Sequence, residues 1–421
     1  MGRLSIDTIQ PGMVLAEDLK HATGRFLLGK GAEISETHLR VFKIWGIHSV
    51  LVEGSIDDLE TTPAKEIDPE VLQAAGRLES RRFSHVDLNH PFFKELLRIC
   101  TLRKAQKSPP PKASEWVEPF SLQEPAPDSA MKDTRPPLIE KVELQALLDH
   151  DINLASLPNI FNEISNVIND PRSSAVHVAD VISKDTSLSA KLLKIVNSAF
   201  YSFPSEIDTI SRAVTIVGTR QLSTLAMGAS VITIFRDIPA DLMDMESFWK
   251  HSITCGVCAR IIASHKNINN TERLFVAGLL HDIGRIILYK FYPHLERECL
   301  MCARRSQKLL RNVEVEFHGC DHAQIGGMLH KKWNLPPTLE QAVTCHHDPL
   351  RSQYPLETSI ICLADILANA LEMGSSGERL VPSLKPEVWD VLRLEKDLLT
   401  KMTQLIDRQV AEVVHYFFGE R

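Results

Sequence analysis

Side chains of metal-ligand type interrupt the most apolar runs of this 421-residue chain. Leu274-Phe275-Val276-Ala277-Gly278-Leu279-Leu280 leads straight into His281-Asp282, and Ile360-Ile361-Cys362-Leu363-Ala364 leads into Asp365. Such runs predict buried helices, and a carboxylate carried inside by one is costly unless it is paired or ligates a cation. His251, His322 and the adjacent pair His346-His347 fall in the same half of the sequence. A fold that gathers all seven would hold one or two hard metal ions, so the helices that carry them must converge.

From about Glu140 onward the pattern is helical almost without interruption. Leu188, Leu192, Ile195 and Ala199 keep helical spacing behind Asp185-Thr186-Ser187, and Leu222, Leu225, Ala226 and Ala229 do so behind Gly218. Two helical halves are predicted, residues 138–238 and residues 239–421, the second carrying the ligands. Upstream the character differs. Residues 1–62 alternate like strands and are punctuated by glycine, with Gly12-Met13-Val14-Leu15-Ala16, Arg25-Phe26-Leu27-Leu28 and Ile47 to Val52 as strands and a helix from a Ser35 cap through Trp45 to a stop at Gly46. Residues 63–103 form a helical segment. Between Lys104 and Pro137 lie eight of the chain's 23 prolines, among Ser, Glu, Asp and Lys, a composition that cannot supply an element interior and predicts an extended linker. The expected fold class is mainly α: an all-helical domain preceded by a small β-rich N-terminal domain and a Pro-rich linker.

A hydrophobic content of 44% with a net charge of −7 excludes a disordered chain and a surface that traps nucleic acid. The segment Met1-Gly2-Arg3-Leu4-Ser5-Ile6 is no apolar signal, and no stretch of about 18 apolar residues is free of charge. No membrane association is expected, and the cytoplasm is the expected address. The eight cysteines are spread in the manner of reduced thiols. Cys255-Gly-Val-Cys258 and Cys299-Leu-Met-Cys302 lie in helical patterns without the tight turn of a zinc knuckle, and they are read as small buried residues.

A set of motifs in fixed order resembles the HDOD domain, a signalling relative of the HD-type metal phosphohydrolases. These are Leu157-Pro158, Asp170-Pro171, Ile182-Ser183-Lys184-Asp185, Leu192 through Tyr201, Ala213 through Gly218, Phe248-Trp249-Lys250-His251-Ser252, Ala277 through Gly284, Asp321-His322 with Ile325-Gly326, and Trp333-Asn334-Leu335-Pro336 before His346-His347. The N-terminal module is similar to the one that precedes HD-GYP cyclic dinucleotide phosphodiesterase domains. The resemblance implies an all-helical domain of bacterial regulators. By analogy with the HD-GYP enzymes it implies that His251 is the first histidine, that Asp282 of the His281-Asp282 pair bridges two metals, and that His322, His346, His347 and Asp365 complete the ligand set. Two departures stand out: Asp348-Pro349-Leu350 follows His347 in place of a Gly-Tyr-Pro loop, and Arg285 replaces a lysine.

A binuclear site would suit phosphate ester hydrolysis, because two ions polarise the phosphoryl group and acidify a shared water. Imidazole and carboxylate ligands favour iron, manganese or zinc. Adjacent ligands on a helix point about 100° apart, which would let each pair span two ions. Asp282 and Arg285 are the candidate catalytic residues, Arg285 as a clamp for a substrate phosphate. His281-Asp282 and Asp365 could instead form a buried hydrogen-bonded network that fixes helix packing, and Asn197-Ser198 could contact a partner or serve in capping or interhelix hydrogen bonding. His265, His294 and His318 carry no ligand signal. Two functions follow: a regulatory module acting through a signalling protein partner or a nucleotide ligand and retaining the metal centre, or a metal-dependent phosphohydrolase acting on a cyclic dinucleotide or another nucleotide.

Overall fold

The computed structural model describes residues 2–5, 9, 12–20, 26–35, 38–39, 42, 49–52, 67–106, 159–170, 172–198, 201, 203, 205–232, 238–394 and 398–419. The linker expected between Lys104 and Pro137 falls outside them except at its first three residues, which close a helix. Trp45 and Gly46 also lie outside. The chain divides into two units, Met1–Asp68 with Val196–Ile207, and Pro69–Ile195 with Asp208–Arg421.

In the first unit, β1 (Gly2–Ser5) pairs antiparallel with β4 (Ser49–Val52), Gly2 opposite Val52, and β2 (Leu19–Lys20) pairs antiparallel with β3 (Phe26–Leu28). Strands of two to four residues in two separate pairs are too little to make the β-rich domain that the alternation suggested. Val14 and Leu15, expected within a strand, make only isolated bridges to Glu33 and Val52, and the ladder breaks where Gly29 and Gly31 turn the chain. The unit instead closes over a small core of Ile9, Leu15, Leu19, Ile34, Phe42, Val50 and Val52. The expected Ser35 cap is present, its hydroxyl accepting from the His38 N–H at 3.2 Å. Asn197 holds a loop: its amide donates to the Ile207 carbonyl at 2.8 Å and accepts from the Ile207 N–H at 2.7 Å.

The second unit is helical. It begins with α1 (Pro69–Arg82) and α2 (Pro91–Gln106), followed by α3 (Asn159–Asn169), α4 (Ala175–Ser183), α5 (Thr186–Val196), α6 (Ile210–Val217) and α7 (Thr219–Ile232). The ligand-bearing part comprises α8 (Met245–His265), α9 (Thr271–Leu280), α10 (Ile283–Phe291), α11 (Pro293–Ser306), α12 (Leu310–His318), α13 (His322–Lys332), α14 (Pro337–Thr344) and α15 (Pro355–Ala370). α16 (Pro386–Leu392) and α17 (Leu398–Phe418) complete the unit. α8 is buried along most of its length because α9, α15 and α17 all pack on it. Asp244 caps it, accepting from the Glu246 and Ser247 N–H groups. A capping box between Asp321 and Gln324 fixes the start of α13, and with it His322. No described helix is long and apolar enough to cross a membrane.

Two helix crossings set the positions of the ligands. A Cβ on Gly278 would stand 2.6 Å from the Gly256 nitrogen, so α8 and α9 touch backbone to backbone and bring the rings of His251 and His281 to 5.3 Å between centroids. At the second crossing Gly284 of α10 lies against the His322 carbonyl and the Gly326 nitrogen of α13.

α1 and α2 belong to this unit too. Arg82 at the end of α1 donates to the carbonyls of Asn369 at 2.5 Å and Ala370 at 3.2 Å, and Arg103 of α2 pairs with Asp407 of α17 at 2.6 Å. Arg82→Ala is therefore expected to lower stability by about 2 kcal/mol, the upper range for hydrogen bonds made by a charged group. The readout is the denaturant midpoint at constant m. A loss under about 0.5 kcal/mol would mean that apolar contacts alone hold α1.

Candidate metal centre

All seven expected ligands meet in one place. His251 comes from the middle of α8 and Asp365 from the middle of α15. His281 ends α9 and Asp282 leads into α10, whereas His346 and His347 follow Cys345, which ends α14. The adjacent pairs thus sit at helix ends rather than within a helix, where adjacent side chains would point about 100° apart. The break in the backbone is what lets both members of each pair face inward, with the His346 and His347 rings 3.9 Å apart.

The ligand atoms form two groups. His251, His281, Asp282 and Asp365 make one and His322, His346 and His347 the other, with the ligand atoms of each group all within 4.8 Å of one another. Asp282 serves both. Its Oδ2 is 3.5 Å from His251 Nε2 and 3.3 Å from His281 Nε2, while its Oδ1 is 2.9 Å from His322 Nε2 and 4.0 Å from His346 Nε2. Asp365 Oδ1 closes the first group at 3.3 Å from His251 Nε2 and 3.4 Å from His281 Nε2, and His347 Nε2 lies 3.0 Å from His322 Nε2 in the second.

The imidazoles are aimed from behind. His281 and His346 each use Nδ1 on a carbonyl, Gly278 and Val343 respectively, both at 2.7 Å. Their Nε2 atoms, and both nitrogens of His251, are buried and make no well-formed hydrogen bond, the Asp282 and Asp365 oxygens standing 3.3–3.5 Å from the Nε2 atoms of His251 and His281. Buried nitrogens without well-formed hydrogen bonds oppose the reading of a satisfied packing network and fit coordination of a divalent ion. Glu314 holds His322 with its Oε2 at 2.5 Å from Nδ1. Burial works against a charged Glu314, but His322 and Arg285 outweigh it and bring its carboxyl down to about 2. Burial and Arg285 likewise oppose a proton on His322, yet Glu314 and Asp282 raise it to about 9. His346 is pushed down to about 3 by burial and by His281 and His322.

Arg285 is buried, and its Nε donates to Glu314 Oε1 at 3.0 Å while its Nη1 donates to Ser376 Oγ at 2.7 Å and lies 3.6 Å from Asp282 Oδ2. Its donors point into the protein. Sequence reasoning missed Glu314 and Asn369, whose amide donates to Asp365 Oδ1 at 2.8 Å. Asn369 lies one turn beyond Asp365 on the same helix, a signal available in the sequence. Glu314 offered none, because neither glutamate of Val313-Glu314-Val315-Glu316 is marked as the inward one.

Residues 154–349 match the HDOD domain family. Asp365 lies beyond the matched stretch. An uncharacterized protein of Treponema pallidum is 23% identical over 244 residues, 57% of this chain and 47% of its own length, so the chain spans about half of that relative. A crystal structure of an HDOD domain protein of unknown function from Geobacter sulfurreducens superimposes with a TM-score of 0.54 at 23% identity, covering 62% of this chain and 93% of that one. A structure from Marinobacter aquaeolei, described as a signal transduction protein, gives a TM-score of 0.50 at 20% identity and covers 62% and 59%. These likenesses carry the fold.

Proposed function

For a chain that carries an HDOD domain, we propose a signal-transduction protein that acts by binding a protein partner, with two divalent transition-metal ions fixing its helical domain. The observation that carries this reading is the depth of the centre. His251, His281, His322 and His346 are fully buried, Asp282 is 2% exposed and Asp365 5%. Such ligands tie α8, α9, α13 and α15 together far better than they receive a bulky substrate, which needs a concave and open site. His251, His281, Asp282 and Asp365 would hold one ion, and His322, His346 and His347 with the other Asp282 oxygen the second. Imidazole with carboxylate suits iron, manganese or zinc. The signal-transduction description of the Marinobacter structure supports the reading, and a nucleotide is the alternative ligand.

A phosphohydrolase is the second reading, favoured by the shared Asp282 carboxylate. A pair of ions there would supply Lewis-acid polarisation of a phosphate ester. What this chain's residues supply is less: Arg285 is spent on Glu314 and Ser376, and no Gly-Tyr-Pro loop follows His347. Catalysis without positioning loses most of its advantage. Metal-loaded protein is therefore expected to turn over cyclic dinucleotides and a generic phosphodiester well below about 1 s⁻¹, the low end of ordinary enzymes. Faster turnover that folded Asp282→Ala abolishes would make the chain an enzyme and overturn the proposal.

A further inference from the structure

A third buried group stands apart from the seven ligands. Glu296 and Cys299 lie three residues apart on α11, on one face of the helix, and His318 ends α12 where Gly319 turns the chain with φ of 77°. Their ligand atoms all lie within 4.8 Å of one another. Glu296 Oε1 is 2.6 Å from His318 Nε2, and Cys299 Sγ is 3.7 Å from the same nitrogen. Glu296 and Cys299 are fully buried and His318 is 2% exposed.

We infer that Glu296, Cys299 and His318 form a separate metal site that takes one borderline divalent ion, zinc by preference. A thiol, an imidazole and a carboxylate are a zinc donor set, and the thiol selects against magnesium and calcium. The trio does not satisfy itself by hydrogen bonds. Two groups compete for one imidazole nitrogen, and Glu296 Oε2 and His318 Nδ1 are buried without any partner. An ion would staple α11 to α12. That has a use at the main centre, because Glu314 stands one turn before His318 on α12 and its carboxylate aims His322. The residues that define the site are those that the sequence passed over, with Cys299 read as a small core residue and His318 as carrying no signal.

Cobalt(II) loading of the full-length protein tests this, since only a thiolate ligand gives the sulfur-to-cobalt charge-transfer band and the seven ligands of the main centre are nitrogen and oxygen. Wild type is expected to show the band and to hold about one ion per chain more than Cys299→Ser, as a preformed site should. Cys299→Ser should lose the band. Cys255→Ser, which alters a buried thiol that interacts with His281, and Asp282→Ala, which disrupts the main centre, should both keep it. Absence of the band from loaded wild type, which involves no variant, would overturn the inference, as would its persistence in Cys299→Ser.

Discussion

Gly284→Ala is expected to destabilise the helical unit by about 3 kcal/mol or more, the top of the range for overpacked sites. The added methyl would overlap the His322 carbonyl and come within 2.8 Å of the Gly326 nitrogen. Both obstacles are backbone, so no rotamer change relieves them and α10 must move away from α13. The consequence reaches the centre, because His322 opens α13 and Asp282 leads into α10. Thermal unfolding should shift down by roughly 6–12 °C for a domain of this size, with bound metal lost alongside. Gly76→Ala is the control: its methyl meets only Thr101 at 3.8 Å, and in a helix interior it should gain up to about 1 kcal/mol. Equal effects at the two positions would dismiss the close crossing as the cause.

Arg285→Ala is expected to cost about 3–5 kcal/mol, as does breaking a buried pair by removing one partner. The guanidinium is 3% exposed and ties Glu314, Ser376 and the neighbourhood of Asp282 together. Its removal leaves a buried glutamate that still faces His322 but has lost the guanidinium. Arg285→Lys should recover only part of the loss, because an ammonium cannot reproduce the planar fork that reaches Nε to one partner and Nη1 to another. Denaturant titration of the two variants reads this directly. A loss below about 1 kcal/mol for Arg285→Ala would place the arginine outside the supporting network and reopen its role as a phosphate clamp.

The main centre was legible in sequence because its ligands break a strong pattern. Asp282 and Asp365 interrupt runs that otherwise read as core, and a carboxylate in such a place needs a partner. Their supports were harder to see. Glu314 and Arg285 act through distances that only the crossing of α10, α12 and α13 creates. The Glu296, Cys299 and His318 trio joins two helices through side chains that are ordinary in their own contexts. Helix ends were also misjudged: His281-Asp282 and His346-His347 look like parts of helices, yet the chain breaks at both pairs. In the N-terminal unit alternation overstated the strands, since a short apolar run such as Val14-Leu15 can cover a core through isolated bridges alone. The packing of α1 and α2 onto α15 and α17 depends on Arg82 and Arg103, charged residues whose partners on those two helices lie some 300 positions away and leave no local mark.

Metal content is the most direct test of the claim that the seven side chains form a binuclear centre. The full chain, reconstituted with iron, manganese or zinc and freed of loose ions, should carry at least about two ions per chain by elemental analysis, since a preformed ligand set of this size binds tightly. Asp282→Ala should lower that number, because its carboxylate faces both groups. Wild type holding less than about a tenth of an ion per chain under all three metals would contradict the account and leave the cluster as packing alone.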